Sequence, residues 1–423
     1  MSSNASVGLH RVVITGTGAV SPAGLGVEAL WSKVSGGECC LSLFSDEVRE
    51  RFGIHVAGLI PGWDPLEVGF TKKEARRFAP FVQYAIIASD EAMKQADIDM
   101  EQEDTSHFAC VFGSGIGGLN TFEKESVVLH EKGAKRVSPL FIPTMISNMA
   151  AGNLSIRYGL RGDCLNIVTA CSTGSHCIGE AYRLIRFGLA DAALAGGSEE
   201  GTAPMSLAGF ANLGAVTKSE DPLNASMPFD RRRSGFVAGE GAGAVVLESL
   251  EHAQARGANI IAEITGFGST GDAYHITAPE PSGEGAVRSM EQALAESGLG
   301  LEDVGHLNAH GTATPVNDRT ESAAWHAFLG DRASEVPVTS VKGCVGHMLG
   351  AAGAIEAIIT ALSVSRSMVP PTIGFAEADP ECPVMVPMTA LVDYSQKVAL
   401  SNSLGFGGHN ATLALSPFKE VRD

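Results

Sequence analysis

Short, nearly unbroken apolar runs at 11–15, 108–112, 164–169, 192–195 and 244–247 are separated by longer stretches in which apolar residues recur every three or four positions. Such runs predict strands buried on both faces, and the periodic stretches predict helices packed over them. The alternation predicts an α/β architecture. No low-complexity linker interrupts it.

The pattern also repeats. EAMKQADIDMEQEDTSHFACVFGSG at 91–115 and QALAESGLGLEDVGHLNAHGT at 292–312 each read as a helix, a turn and a strand ending in glycine. A strand, a turn and a helix follow both, as NIVTACSTGSHCIGEAYRLIRFG and VPVTSVKGCVGHMLGAAGAIEAIITAL, and GAVVLESLE (243–251) and ATLALSPFK (411–419) close the two units. We read an internal duplication with halves at 1–255 and 256–423, the larger insertions falling in the first.

Composition narrows the function classes. The 423 residues are 44% hydrophobic and 18% charged, which suits a globular chain with a large core. Acidic residues outnumber basic ones 48 to 30, so the net charge of −18 opposes binding to nucleic acid or to an anionic membrane. The most membrane-like stretch, 344–364, carries His347 and Glu356 among glycines and alanines, as a tightly packed core helix would. The first residues lack the basic and apolar regions of a signal peptide. Eight cysteines without a C-x-x-C pair spell neither a zinc site nor a disulfide framework, so the expected setting is the reducing cytoplasm.

Candidate chemistry centres on Cys171, which follows an apolar run and precedes an amphipathic helix at 176–187. A sulfur at a helix N-terminus is expected as a thiolate, beside N–H groups able to hold an oxyanion. Cys110, Cys164, Cys177 and Cys344 lack that setting and are expected to be core packing. His310, in LNAHGTATP, and His347, in VKGCVGHMLGAAGA, stand at strand-to-loop transitions of the second half. Two histidines without an orienting Asp or Asn do not make a protease triad. Two imidazole N–H donors suit stabilising the enolate left when a malonyl thioester loses CO2. Lys342 would shape the local field. GTGAVSPAG (16–24), GSGIGG (113–118) and GFGSTG (266–271) read as tight turns or tunnel lining, not nucleotide loops, since no ribose-binding acid follows the last. Lys73, Arg76 and Arg77 fall on one helix face, a cationic patch suited to an acidic carrier protein.

VTACSTGS, NAHGTATP, SVKGCVGHMLGAAGAIEA and NSLGFGGHN, in this order, resemble the signature blocks of β-ketoacyl-acyl carrier protein synthases, nearest the synthase II type. The resemblance implies a thiolase-like fold of two pseudo-symmetric halves in a five-layered α-β-α-β-α arrangement, and a homodimer. It implies an acyltransferase of fatty acid elongation that joins an acyl thioester on Cys171 to malonyl-carrier, giving 3-oxoacyl-carrier and CO2. His310 and His347 would serve decarboxylation with Lys342 in support, Phe406 and Leu404 would gate the site, and Thr312 and Thr314 would bind substrate. Ile116 would line the acyl pocket, with Phe141 approaching from the partner subunit. No cofactor is expected beyond a structural sodium or potassium ion near Asn308, Glu356, Ser401 and Asn410. The partner would be acyl carrier protein. The chain departs from its relatives at Leu404, at His409 and at Gly343-Cys344-Val345. The alternatives are a type II polyketide ketosynthase and a subunit without turnover. A degradative thiolase would need a second cysteine in the GFGGHN loop.

Overall fold

The computed structural model describes residues 9–420. Ten strands carry the main sheet: β1 (Val12–Ser21), β2 (Phe108–Gly113), β3 (Cys164–Leu165), β4 (Ala192–Glu199), β5 (Gly241–Ser249), β6 (Ala262–Gly271), β7 (Val304–Asn308), β8 (Val338–Thr339), β9 (Val398–Gly405) and β10 (His409–Ser416). Their order is β8-β7-β9-β10-β6-β1-β5-β4-β2-β3, with a two-residue strand, Gly24–Leu25, beside β1. Counted outward from the junction, both halves run first, fifth, fourth, second, third, as a duplication demands. The halves meet where β1 pairs antiparallel with β6 over Val12↔Ile264, Val13↔Glu263 and Ile14↔Ala262.

Six helices complete the layers: α1 (Pro80–Ala96), α2 (Met149–Tyr158), α3 (Thr173–Arg186), α4 (Glu284–Ser297), α5 (Pro315–Leu329) and α6 (Ala352–Ser365). Helices α3 and α6 lie between the two halves of the sheet and touch strands of both, while α1 and α2 cover one outer face and α4 and α5 the other. This is the five-layered thiolase-like arrangement. The central position explains the composition of α6, where every residue from Ala352 to Val364 is buried. A helix with no wet face can be apolar all round without spanning a membrane. Among the described residues no helix is long and apolar enough to cross one.

Several expectations change in detail. The run at 164–169 forms a strand only at Cys164–Leu165 and then turns irregularly towards the helix, which begins at Thr173, earlier than expected. Cys164, expected in the core, lies exposed on this edge strand, whereas Cys110, Cys177 and Cys344 are buried. The glycines of GTG and GFG are neither strand-end turns nor tunnel lining. They sit within β1 and β6, where the outer helices press on the sheet: a Cβ on Gly18 would lie 1.8 Å from the Ala88 carbonyl oxygen, and one on Gly268 1.8 Å from that of Ser289. The same device in both halves sets the helix-to-sheet distance.

Gly18→Ala or Gly268→Ala should therefore destabilise the protein by roughly 1–3 kcal/mol or more, through overpacking against backbone that cannot rotate away. Gly209→Ala, with nothing within 4 Å of its Cβ, should be neutral or slightly stabilising. Guanidinium midpoints of the three variants check this, and equal midpoints would remove the close-packing account.

Candidate active site

Cys171 lies in the 3-10 turn Ala170–Ser172 that leads into α3. Ala170 holds a left-handed φ of 52°, a conformation costing a residue with a Cβ roughly 1–2 kcal/mol. The turn is held from both sides: Thr169 N–H donates to Thr173 Oγ1 at 2.9 Å, and Ser172 Oγ donates to the His409 carbonyl at 2.8 Å. A Cβ on Gly174 would fall 2.6 Å from the Ala354 nitrogen, so α3 and α6 cross in backbone contact just below the cysteine.

The second half supplies the other groups. His310 follows β7, and the N–H groups of His310 and Gly311 donate to the two carboxylate oxygens of Glu321, on α5, at 2.7 and 2.8 Å. His347 donates its backbone N–H to the Val237 carbonyl at 2.7 Å and accepts from Gly239 N–H at 2.9 Å. Its ring meets Phe236 edge-on, with centroids 5.4 Å apart, and His310 edge-on at 5.3 Å. Cys171 Sγ and one ring nitrogen from each histidine all lie within 4.8 Å of one another.

Lys342 is 1% exposed, which excludes the ordinary role of a solvated lysine. Its Nζ donates to the Glu356 carboxylate and, at 2.5 Å, to the His310 carbonyl, and it stands 3.5 Å from His310 Nδ1. An ammonium has only donors, so Nδ1 is the acceptor and the proton of His310 resides on Nε2. Burial, with the Lys342 charge, holds both His310 and His347 well below the ordinary imidazole value, so both are neutral at physiological pH. Burial also pushes the Cys171 thiol up to about 11, against the opposing pull of Lys342 and a hydrogen bond from the Phe406 backbone. The expected resting thiolate is corrected accordingly: desolvation outweighs the helix terminus, and the free enzyme holds a thiol.

A cavity of about 300 Å³ opens onto these groups, with Thr312, Thr314, Leu404, Phe406 and Asn410 in its wall. Ile116 and Phe141 do not line it. The side chain of Ile116 is 39% exposed elsewhere, although its N–H donates to Glu199. Of the four residues expected near a cation, three cluster: Asn308 and Ser401 face each other across β7 and β9, and Asn308 Nδ2 donates to the Glu356 carbonyl. Asn410 instead donates to Asp272 at 2.6 Å. Cys171, His310 and His347 have the spacing of a metal-ligand set, but the nearby ammonium opposes a divalent ion there. Lys73, Arg76 and Arg77 stand exposed on the short helix Lys72–Arg77, and none of the three makes an ion pair among the described residues.

Two acids escaped the sequence reading. Glu321 fixes the His310 loop, and Glu199 gathers the N–H groups of Gly115, Ile116 and Gly350 with the hydroxyl of Ser114, joining a first-half loop to the turn beyond His347. The available signal was for Glu199 alone, a carboxylate closing the otherwise apolar run of β4; Glu321 sits among the polar residues of NDRTESAAW and carries no such signal.

Comparisons agree with this construction. Residues 9–253 match the family described as "Beta-ketoacyl synthase, N-terminal domain" and residues 261–376 its "C-terminal domain". A Staphylococcus aureus (strain COL) protein named 3-oxoacyl-[acyl-carrier-protein] synthase 2 is 46% identical over 409 residues, 97% of this chain and 99% of that one. A crystal structure of a β-ketoacyl synthase from Burkholderia phymatum STM815 superposes with a TM-score of 0.89 at 32% identity, covering 97% of this chain and all of that one. With the same TM-score and coverage, at 31% identity, stands a type II polyketide ketosynthase bound to the hexaketide in complex with its acyl-carrier protein. Carrying both matched domains and a cysteine beside two histidines, the chain belongs to the β-ketoacyl synthase family.

Proposed function

We infer that this chain is an acyltransferase of fatty acid elongation, a 3-oxoacyl-acyl carrier protein synthase working by decarboxylative Claisen condensation. The observation that carries the reading is Cys171 Sγ within 4.8 Å of two neutral imidazoles. In the first half-reaction the Cys171 sulfur attacks an acyl thioester, the carrier thiol leaves, and the cysteine proton ends on that thiol. The oxyanion forms beside the N-terminal N–H groups of α3 and the Phe406 N–H, whose hydrogen bond lowers the Cys171 value against burial. In the second, the malonyl C–C bond breaks and CO2 leaves. The thioester oxygen gathers charge while His310 Nε2–H and the His347 imidazole donate to it. The carbanion attacks the acyl-Cys171 carbonyl, and the C–S bond breaks to release 3-oxoacyl-carrier and the Cys171 thiolate, which takes a proton from solvent to restore the thiol. The 46% identity to the Staphylococcus protein favours this reading over the polyketide one, whose neighbour stands at 31%.

The remaining assignments rest on the same reading. Phe406 and Leu404 gate the cavity, with Gly407 and Gly408 at φ 86° and 75° giving the loop its turn. Thr312 and Thr314, hydrogen-bonded to each other at 2.9 Å, present hydroxyls to the carrier's arm. Lys73, Arg76 and Arg77 dock the acidic carrier. A homodimer covers the open edge of β3 and the exposed Ile156, Leu165 and Val168, and brings the partner's Phe141 to the acyl pocket at Ile116. Buried oxygens of Asn308, Glu356 and Ser401 without hydrogen-bond partners suit a sodium or potassium ion, which would balance the Glu356 charge and stiffen the β7–β9 end. Eight free thiols fit a cytoplasmic enzyme.

Replacing either His310 or His347 by Ala should slow CO2 release roughly a hundredfold, the usual effect of losing one oxyanion donor. Acylation of Cys171 should suffer less, and Cys171→Ala should form no acyl-enzyme yet still release CO2. Normal CO2 release with lost acylation in the histidine variants would make the pair general bases instead. CO2 counting and intact mass together decide it.

Since both imidazoles are neutral, decarboxylation by Cys171→Ala should stay flat between about pH 6 and pH 8. A fall with a midpoint inside that window would mean a charged histidine does the work. For the cationic face, reversing Lys73, Arg76 and Arg77 to Glu should raise the apparent KM for acyl-carrier roughly tenfold, spare small soluble thioesters and lose its effect in high salt. Equal damage to both substrates would make that helix structural.

A further inference from the structure

Cys344 faces a second thiol. Its S–H donates to Cys40 Sγ at 3.8 Å, and Cys40 N–H donates to the Cys344 carbonyl at 2.9 Å. The backbones are directly hydrogen-bonded and the sulfurs already 3.8 Å apart, and a disulfide needs them to close to about 2.05 Å. Cys39 faces away, donating to the Pro222 carbonyl at 3.5 Å. The two thiols differ in character. Cys40 is half-buried at the turn after the helix Val27–Ser35, and the hydrogen bond from Cys344, with the Lys33 ammonium, holds it below the ordinary thiol value. Cys344 is buried, and donation to Cys40 together with burial holds it above.

We propose that Cys40 and Cys344 are a redox modification site, closing to a reversible disulfide with hydrogen peroxide and thereby slowing condensation through the turn that carries Lys342. The Cys40 thiolate attacks a peroxide oxygen, giving a sulfenic acid and hydroxide. The Cys344 sulfur then displaces the sulfenic oxygen, its proton leaves with that oxygen, and the balance is two thiols and one peroxide to one disulfide and two waters. Cys344 belongs to the four-residue helix Lys342–Val345, immediately ahead of His347. That helix cannot slide freely, since a Cβ on Gly343 would already lie 2.0 Å from the Ile373 carbonyl oxygen. Drawing Cys344 towards Cys40 therefore strains the turn and shifts the Lys342 ammonium from Glu356 and His310.

The test exposes the reduced protein, its Cys171 first loaded with an acyl chain for protection, to hydrogen peroxide, then alkylates and maps peptides. A Cys40–Cys344 linked pair is expected. Condensation by the oxidised protein should fall roughly tenfold or more, as for small misplacements of catalytic groups, and return on reduction with a dithiol. Cys40→Ser, and Cys40→Ala as a second variant, should keep the starting activity, form no link and show no dithiol-reversible loss. A link through Cys39, no link at all, a linked protein with full activity, or a reversible loss that persists in both variants overturns the proposal. The linked peptide is read without any activity assay, so a failure of the condensing assignment would be distinguishable from a failure of the site.

Discussion

The centre depends on one buried charge. Lys342 and Glu356 are both removed from water, at 1% and 0% side-chain exposure, and such charges persist only when paired. The partners available to Lys342 are few: the Glu356 carboxylate from α6, the His310 carbonyl, and the His310 ring at Nδ1. Each constrains the site. The carboxylate ties the short Lys342 helix to the central helix, the carbonyl fixes the loop after β7, and the ring contact selects the tautomer. Removing the ammonium would leave a buried carboxylate uncompensated and free both tautomers of His310.

Duplication explains how such a site can be built. The two halves share a strand order but contribute different groups to the cluster: the first places Cys171 in a turn, and the second supplies both imidazoles and the lysine. The equivalent turns converge because α3 and α6 cross in backbone contact between the sheets, with Gly174 against Ala354. Bonds then pass between halves. Glu199 of β4 receives the Gly350 N–H, and the backbone of His347 is held by Val237 and Gly239. The active site is thus a seam, and the packing that stabilises the fold also sets its distances.

Much of this was legible in the chain. Alternating apolar runs and the repeat gave the architecture, because buried strands and a buried central helix leave few alternative patterns. Cys171, His310 and His347 were legible as small-residue motifs at strand-to-loop transitions. The glycines of GTG and GFG were misread because a sequence does not say which face of a strand meets a helix, and the close approach to Ala88 and Ser289 is visible only in three dimensions. Glu199 and Glu321 were missed for a related reason: each holds backbone N–H groups that the fold brings from other segments, so even the carboxylate closing the apolar β4 does not tell from sequence what it binds. Asn410 was grouped with Ser401 by motif, yet its position on β10 turns it to Asp272.

The Cys171 ionisation shows most directly how burial decides chemistry. A helix N-terminus argues for a thiolate, but its influence is worth at most about 2 kcal/mol even in partly buried settings, whereas full burial shifts an ionisable group by up to several pKa units. With the thiol pushed up to about 11, burial favours the protonated cysteine in the free protein. Reactivity then has to come with the substrate: an acyl thioester placing its carbonyl oxygen among the N–H groups lowers the cost of the anion that forms, and the departing carrier thiolate takes the proton. The two imidazoles, neutral for the same reason, are kept as donors and stay out of proton traffic. One property, burial, therefore acts on all three groups, favouring the thiol at Cys171 and the neutral imidazole at His310 and His347.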